Sequence, residues 1–163
     1  MSNIKPLKQR PYDLFFVVIF SVFTVSSLFF DILNGLDVEL SATSSNPLGR
    51  LTYEWYAKGT DPLLIENPSF VQYATLISAL VWGPMYLMFV YGFWKQKSWI
   101  RVPGLLYSGA LTYSMLYYIW IQLADPDQTG LISEHPVRFL LFNGPYLVVP
   151  ILLGFRLRKA PVF

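Results

Sequence analysis

The strongest constraint on the fold is the length of the segments that carry no charged side chain. The longest runs from Asn67 to Trp94, and shorter ones lie near the start, the middle and the end of the 163-residue chain. A helix needs about 20 mostly apolar residues to cross a bilayer, and an uncharged stretch of that length is typical of a transmembrane helix. The sequence therefore predicts four membrane spans, at about 12–34, 68–94, 103–124 and 136–156.

Composition supports this fold class and removes several kinds of site. Charged residues make up 13% of the chain, about half the share typical of a soluble domain. There is no cysteine and one histidine, so disulfides, thiolate metal sites and sites with two imidazoles are excluded. We predict an all-α membrane protein, a single domain over residues 1–163 with four transmembrane helices in a bundle, and neither cofactor nor metal.

The basic residues are sorted along the chain. Nine of the twelve lie in the first tail, in the loop between the second and third spans, and in the last tail. These nine are Lys5, Lys8, Arg10, Lys95, Lys97, Arg101, Arg156, Arg158 and Lys159. Acids, among them Asp37, Glu54 and Asp127, dominate the two opposite loops. The positive-inside rule then predicts that both termini are cytoplasmic, with the basic residues serving orientation and anionic headgroups and nothing typical of nucleic-acid binding.

The first of the acidic loops is about 30 residues long, more than a simple connection needs. Leu48, Leu51 and Trp55 recur at helical spacing within it. This pattern predicts a lumenal amphipathic helix with aromatic anchors. A compatible hypothesis is a lid over a cavity on this side. Asp61 stands directly before Pro62, which predicts a helix cap.

Asp31 is the only carboxylate placed clearly inside a predicted span. An acid in a span is costly and therefore a functional candidate, although a solvated position at the interface remains open, since Asp31 is only roughly 6 Å deep. A lone acid among aromatic rings and hydroxyls suits the binding of an amine or a sterol-like amphiphile. Alternatively, each aromatic residue could simply belong to the belt of aromatic side chains at the membrane interface. Counting residues from the ends of the predicted spans places nine other side chains at about the depth of Asp31 in the membrane. They are Gln72, Tyr73, Ser78, Ser114, Tyr117, Tyr118, Gln122, Asn143 and Tyr146.

Several motifs together resemble a known family. They are Trp55-Tyr56-Ala57-Lys58, Asp61-Pro62-Leu63-Leu64, Trp99-Ile100-Arg101 with Pro103, Tyr107-Ser108, and Pro145-Tyr146-Leu147 with Pro150. In this order, with Asp31 at the end of the first span, the chain resembles the EXPERA-domain family, and within it the sigma-2 receptor branch. The resemblance implies a four-helix, usually dimeric protein of the endoplasmic reticulum membrane. It also implies an intramembrane pocket for sterols or cationic amines and a role in sterol or lipid transport, acting with membrane lipids and a larger membrane protein as partners.

The resemblance also implies roles for particular residues. Asp31 would pair with the amine, and Asp61 matches a second family acid that is needed for binding. As the helix cap described above, Asp61 would hold the lid, with Trp55 nearby. The pocket lining would comprise Phe30, Ser78, Trp82, Ser114, Tyr117, Asn143 and Tyr146, of which Tyr117 comes from depth alone. Two of these depart from the family pattern: the family's pocket glutamate falls on Ser78, and Trp82 replaces a polar residue.

The family's sterol isomerase branch uses intramembrane His and Glu residues, and no predicted span here carries either. Because protonating a buried alkene requires a proton donor at that place, the sequence favours binding over catalysis and predicts no catalytic residue. Two alternatives stay open: a membrane enzyme that modifies sterols or sphingolipids, and an accessory subunit of a larger lipid-handling complex.

Overall fold

The computed structural model describes residues 6–126 and 128–159. Within those ranges the secondary structure is entirely helical, as predicted. The helices are α1 (Pro11–Ser26), α2 (Ile32–Gly35), α3 (Pro47–Thr52), α4 (Pro62–Glu66), α5 (Ser69–Ile77), α6 (Gly83–Trp94), α7 (Arg101–Ala124) and α8 (Pro136–Leu157). Three π-helical turns complete longer helical segments: Ser27–Asp31 joins α1 to α2, Tyr53–Ala57 extends α3, and Ser78–Trp82 joins α5 to α6. Lys5 and Asp127 lie outside the described residues.

Three of the four predicted spans are confirmed as helices long and apolar enough to cross a membrane. They are Pro11–Gly35, Ser69–Trp94 and Pro136–Leu157. The fourth, α7, has 24 residues and is therefore about 36 Å long, which is sufficient length. Its tyrosines, serines and threonine make it less apolar than the other three, so its crossing stays a prediction.

Two helical hairpins form the bundle, α1 with α6 and α7 with α8. Buried aromatic rings join them. Phe20 of α1 lies 5.1 Å from Phe89 and 5.7 Å from Tyr86, between ring centroids, and Tyr107 of α7 lies 5.3 Å from Phe89. These rings are fully buried, and such pairs contribute about 0.5–1.5 kcal/mol each beyond the area that they bury.

Each hairpin is closed at the same end by an arginine. Arg10, before α1, donates to the carbonyls of Phe93 (2.9 Å) and Trp94 (3.1 Å) at the end of α6. Arg101, at the start of α7, donates to the carbonyls of Leu157 and Arg158 (3.1 Å each) at the end of α8. The last carbonyls of a helix lack intrahelical donors and favour a positive charge. The sequence predicts that basic residues orient the chain and bind headgroups. Arg10 and Arg101 in addition cap the ends of α6 and α8, a structural role that this prediction missed. We call this end of the bundle the basic end.

A second carboxylate is buried in the first helix, which corrects the view of Asp31 as the one acid clearly inside a span. Asp13, in the first turn of α1, has a side chain only 5% exposed. It pairs with Arg10 at 2.9 Å and with Arg156 of α8 at 3.1 Å. Asp13 therefore ties α1 to α8 at the basic end.

A helical segment occupies the place predicted for the amphipathic helix. Asn46 caps α3 by accepting from the N–H groups of Leu48 (2.9 Å) and Gly49 (3.2 Å), and the segment continues to Ala57. Trp55 is 62% exposed, as an aromatic anchor would be. The lumenal position of this segment stays a prediction.

Candidate functional site

Asp31 is positioned by the contact between two π-helical turns, Ser27–Asp31 and Ser78–Trp82. A π turn adds a residue to a helix and is frequent at functional sites. The second turn lies directly before Pro84, whose ring would clash with the carbonyl of Leu80 in a regular α-helix. The proline therefore explains why the helix widens here, in the turn that begins at Ser78.

The Asp31 cluster consists of Asp31, Ser78 and Ser27. The Ser78 hydroxyl donates to Oδ2 of Asp31 at 2.6 Å, and the Ser27 hydroxyl donates to the Ser78 carbonyl at 2.5 Å. Asp31 is only partly buried. Among the described residues, none of the ion pairs involves Asp31. A carboxylate with one hydroxyl donor and no cation retains acceptor capacity for a ligand.

A second acid lies at the centre of a denser network, the Asp61 cluster. Oδ1 of Asp61 accepts from the Leu64 N–H (3.1 Å), the Tyr118 hydroxyl (2.7 Å) and the Gln122 amide. Oδ2 accepts from the Tyr56 hydroxyl at 2.7 Å. Asp61 thus caps α4, as its position before Pro62 predicts, and also joins α4 to α7 and to the Tyr53–Ala57 turn.

Tyr56 joins Asp61 to α8. Asn143 of α8 donates to the Tyr56 hydroxyl at 2.6 Å and to the Phe139 carbonyl at 3.0 Å. Burial raises the pKa of the Tyr56 phenol well above its ordinary value, the charge of Asp61 raises it further, and the charge of Asp31 adds a smaller contribution. Tyr56 therefore lies within electrostatic reach of both carboxylates.

Burial also dominates the electrostatics of Asp61, which is 1% exposed. It raises the pKa of the Asp61 carboxyl, and the hydrogen bonds from Tyr56, Tyr118 and the Leu64 N–H oppose that rise. The donors hold the charged form in a place that water reaches poorly.

The other predicted lining residues divide into two groups. Trp82 meets the Tyr107 ring edge-on at 5.5 Å, and Tyr146 stacks on Phe23 at 4.0 Å, so both belong to the aromatic interior. Phe30 is partly buried. Ser114 and Tyr117 are exposed, Tyr117 by 55%, and within the described residues neither forms a hydrogen bond or ring contact with the Asp31 cluster. Their roles as ligand contacts stay predictions that no such contact supports.

Trp55 packs edge-on against the Phe142 ring at 5.3 Å, and its carbonyl accepts from Arg138 of α8. These contacts hold the Tyr53–Ala57 turn against α8. Movement of this segment as a lid stays a prediction.

Sequence reasoning missed Ser27 and the connecting role of Tyr56. Ser27 precedes Asp31 by four residues, a helical-turn spacing that could have identified it. No comparable spacing in the sequence indicates the hydrogen-bond network around Tyr56. Two further polar side chains, Tyr86 and Tyr107, are fully buried next to each other in the aromatic interior, with their ring centroids 5.7 Å apart. Groups of His, Cys, Asp and Glu that could hold a metal ion are absent from the described part of the chain.

The sequence was compared with known proteins. Residues 47–157 match the family model described as EBP: EXPERA (EXPanded EBP superfamily). The chain is 31% identical over 128 residues to the 3-beta-hydroxysteroid-Delta(8),Delta(7)-isomerase of Mus musculus, covering 76% of this chain and 53% of that protein. It is 30% identical over 104 residues to the protein of the same name from Rattus norvegicus, covering 61% and 44%. The chain thus spans about half the length of the curated relatives it matches. The family match includes Asp61, Ser78 and Asn143, whereas Asp31 precedes it.

Proposed function

This chain belongs to the EXPERA family, and we propose that it binds a sterol or a lipophilic amine at the Asp31 cluster without transforming it chemically. In this proposal it is a single EXPERA-like domain of the sigma-2 receptor type, with four spans in the endoplasmic reticulum membrane. It acts in sterol or lipid transport or homeostasis. A homodimer is part of the same proposal.

The proposal rests on the position and the hydrogen-bond partners of Asp31. It lies at the end of an apolar 25-residue helix, it is held by the Ser78 hydroxyl, and among the described residues it has no basic partner. A carboxylate in such apolar surroundings is stabilised most by a ligand that combines a cationic group with a large apolar part. The aromatic rings of Tyr146 and Trp82 supply apolar surface in the interior.

The proposed topology rests on the basic end. Arg10 joins the start of α1 to the end of α6, and Arg101 joins the start of α7 to the end of α8. The Asp13–Arg156 ion pair brings these two contacts to the same end of the bundle. Since α7 is antiparallel to α8 and long enough to cross, we propose that it is the fourth span. The concentration of basic residues at this end supports its cytoplasmic placement.

The proposed ligand class is supported by the relatives, which are named as isomerases of steroids. The same likeness favours a second candidate function, a sterol-modifying enzyme. Against catalysis stands the absence of His and Glu from the predicted spans, because isomerisation of a double bond needs groups that deliver and remove a proton. An accessory subunit without a small ligand is the third candidate.

The test of the site is the substitution Asp31→Asn. A charge-assisted hydrogen bond contributes about 1.5–3 kcal/mol, so the affinity for a long-chain tertiary amine should fall at least tenfold, while the affinity for a neutral sterol should change little. The matched control is Asp37→Asn, which removes the same charge a short distance along the chain, where Asp37 accepts from Asn67 at 2.9 Å. Unchanged amine affinity in folded Asp31→Asn protein would contradict the site.

The alternatives have distinct outcomes. Conversion of a sterol by the purified protein, lost in Asp31→Asn, would establish the enzyme. Stoichiometric co-purification with a larger membrane protein, with no sterol or amine retained in mass spectra of extracted lipids, would establish the accessory subunit.

A further inference from the structure

A groove on the outer surface of the α7–α8 hairpin is separate from the Asp31 cluster. Its volume is about 550 Å³. Its floor is made of small residues, Ser108, Gly109 and Thr112 of α7 and Gly154 of α8, and Phe155 lies at one side. A Cβ atom added to Gly109 would meet nothing within 4 Å. The floor is therefore open at Gly109, whereas a Cβ atom on Gly154 would lie 3.5 Å from that of Ser108.

The groove extends along α7 from Leu105 to Leu116, which corresponds to about 16 Å of helix. This is about half of the roughly 30 Å hydrocarbon thickness of a bilayer. If α7 crosses the membrane, the groove covers one leaflet, beginning at the basic end.

Positive charge is concentrated at that end of the groove. Arg158 lines it, with its guanidinium 5.5 Å from the centre of the Phe155 ring. No Asp or Glu is among the lining residues, and within the described part of the chain Arg158 belongs to none of the ion pairs. The adjacent Lys159 is also exposed. The groove is thus an open, mostly apolar surface about one leaflet long, and it ends at a cation that has no carboxylate partner among the described residues.

We propose that this groove is a binding site for an anionic phospholipid, with an acyl chain along α7 and the headgroup on Arg158. Basic pockets between transmembrane helices bind anionic headgroups by this charge complementarity. A sterol has no charge to pair with Arg158, so the charge favours the phospholipid. The inference rests on the proposed crossing of α7 but not on the ligand proposed for Asp31.

The test uses the full chain in nanodiscs of phosphatidylcholine that contain a small fraction of spin-labelled lipid. Electron paramagnetic resonance then measures how much labelled lipid the protein immobilises. Labelled phosphatidylserine should be retained more than labelled phosphatidylcholine. In Arg158→Gln this preference should fall about fivefold, the effect expected for one basic residue near an anionic headgroup.

Two variants complete the design. Lys95→Gln is the matched control, because Lys95 follows the end of α6 and lies 4.9 Å from the Trp94 ring centre, as Arg158 lies on Phe155. Since Lys95 is not among the lining residues of the groove, its substitution should lower the preference much less than Arg158→Gln does. Gly109→Leu fills the open floor and should reduce retention of both labelled lipids. Equal effects of Arg158→Gln and Lys95→Gln, full retention in Gly109→Leu, or displacement of labelled phosphatidylserine by cholesterol would overturn the proposal.

Failure of the α7 crossing is detected separately. The chain has no cysteine, so Leu106→Cys, at a position 71% exposed on α7, introduces a single thiol. Protection of this thiol from a water-soluble maleimide in nanodiscs is expected. Labelling would contradict the crossing, and with it the proposed topology, whereas protection combined with lost lipid selectivity would contradict the groove site alone.

Discussion

Replacing Asp61 with alanine should destabilise the protein much more than the loss of an ordinary helix cap. The substitution leaves the hydroxyls of Tyr56 and Tyr118 and the amide of Gln122 without their acceptor, and it also removes the cap on the Leu64 N–H. A buried donor left unpaired costs about 1–3 kcal/mol, and a lost cap costs about 1 kcal/mol.

The expected loss of stability is obtained from the lower ends of these two ranges. At about 1 kcal/mol for each of the three side-chain donors and for the cap, the loss is about 4 kcal/mol. Release of the carboxylate from a poorly solvated site offsets part of this loss. We therefore expect the free energy of unfolding of Asp61→Ala to fall by about 3 kcal/mol.

The matched control is Asn46→Ala. In the described residues the Asn46 side chain accepts only from backbone N–H groups, those of Leu48 and Gly49, so its removal should cost about 1 kcal/mol. Both variants are unfolded by titration with sodium dodecyl sulfate in mixed micelles, with helicity followed by circular dichroism. If Asp61→Ala costs no more than Asn46→Ala, the argument that Asp61 joins α4 to α7 is wrong.

The same carboxyl gives a pH dependence of known sign. Because burial raises the pKa of Asp61 in the folded state, the folded protein binds this proton more tightly than the unfolded chain. The associated stability is fully present below the unfolded pKa of about 4 and is lost as pH rises through the raised folded pKa. Subtracting the pH profile of Asp61→Asn from that of the wild type should isolate this decline.

Two further predictions concern packing and the basic end. Gly92→Ala should lower the free energy of unfolding by about 1–3 kcal/mol, because the new Cβ would collide with Ile100. Gly109→Ala, on an open helix face, should raise the free energy of unfolding by about 0.5–1 kcal/mol. A loss of stability at both glycines would contradict the difference in packing between the two positions. Asp13→Ala should cost about 1.5–3 kcal/mol, because it removes the charge-assisted hydrogen bonds of a buried carboxylate with Arg10 and Arg156. Glu54→Ala, in an exposed pair with Lys58 at 3.9 Å, should cost less than about 0.5 kcal/mol. The same detergent titration measures all four, and similar effects at Asp13 and Glu54 would show that burial of the pair is unimportant.

The sequence by itself determined the fold class, the positions of three membrane helices, the sorting of charge between the two ends and the choice of Asp31 as a candidate. These properties are local, since hydropathy and charge over about 20 residues decide whether a segment enters a bilayer. The family resemblance, carried by the motif that begins at Trp55, was also readable and is confirmed by the match over residues 47–157.

The tertiary structure alone decided which side chains meet. Depth counting selected Tyr117 and Tyr118 equally, yet successive residues of a helix point about 100° apart, and only Tyr118 reaches Asp61. Asp13 pairs with Arg156, 143 residues away, and Ser78 reaches Asp31 where the two π turns are in contact. The rotation of a helix about its own axis is set by packing against its neighbours. One-dimensional patterns give the depth of a residue in the membrane, whereas the partner that it faces depends on that packing.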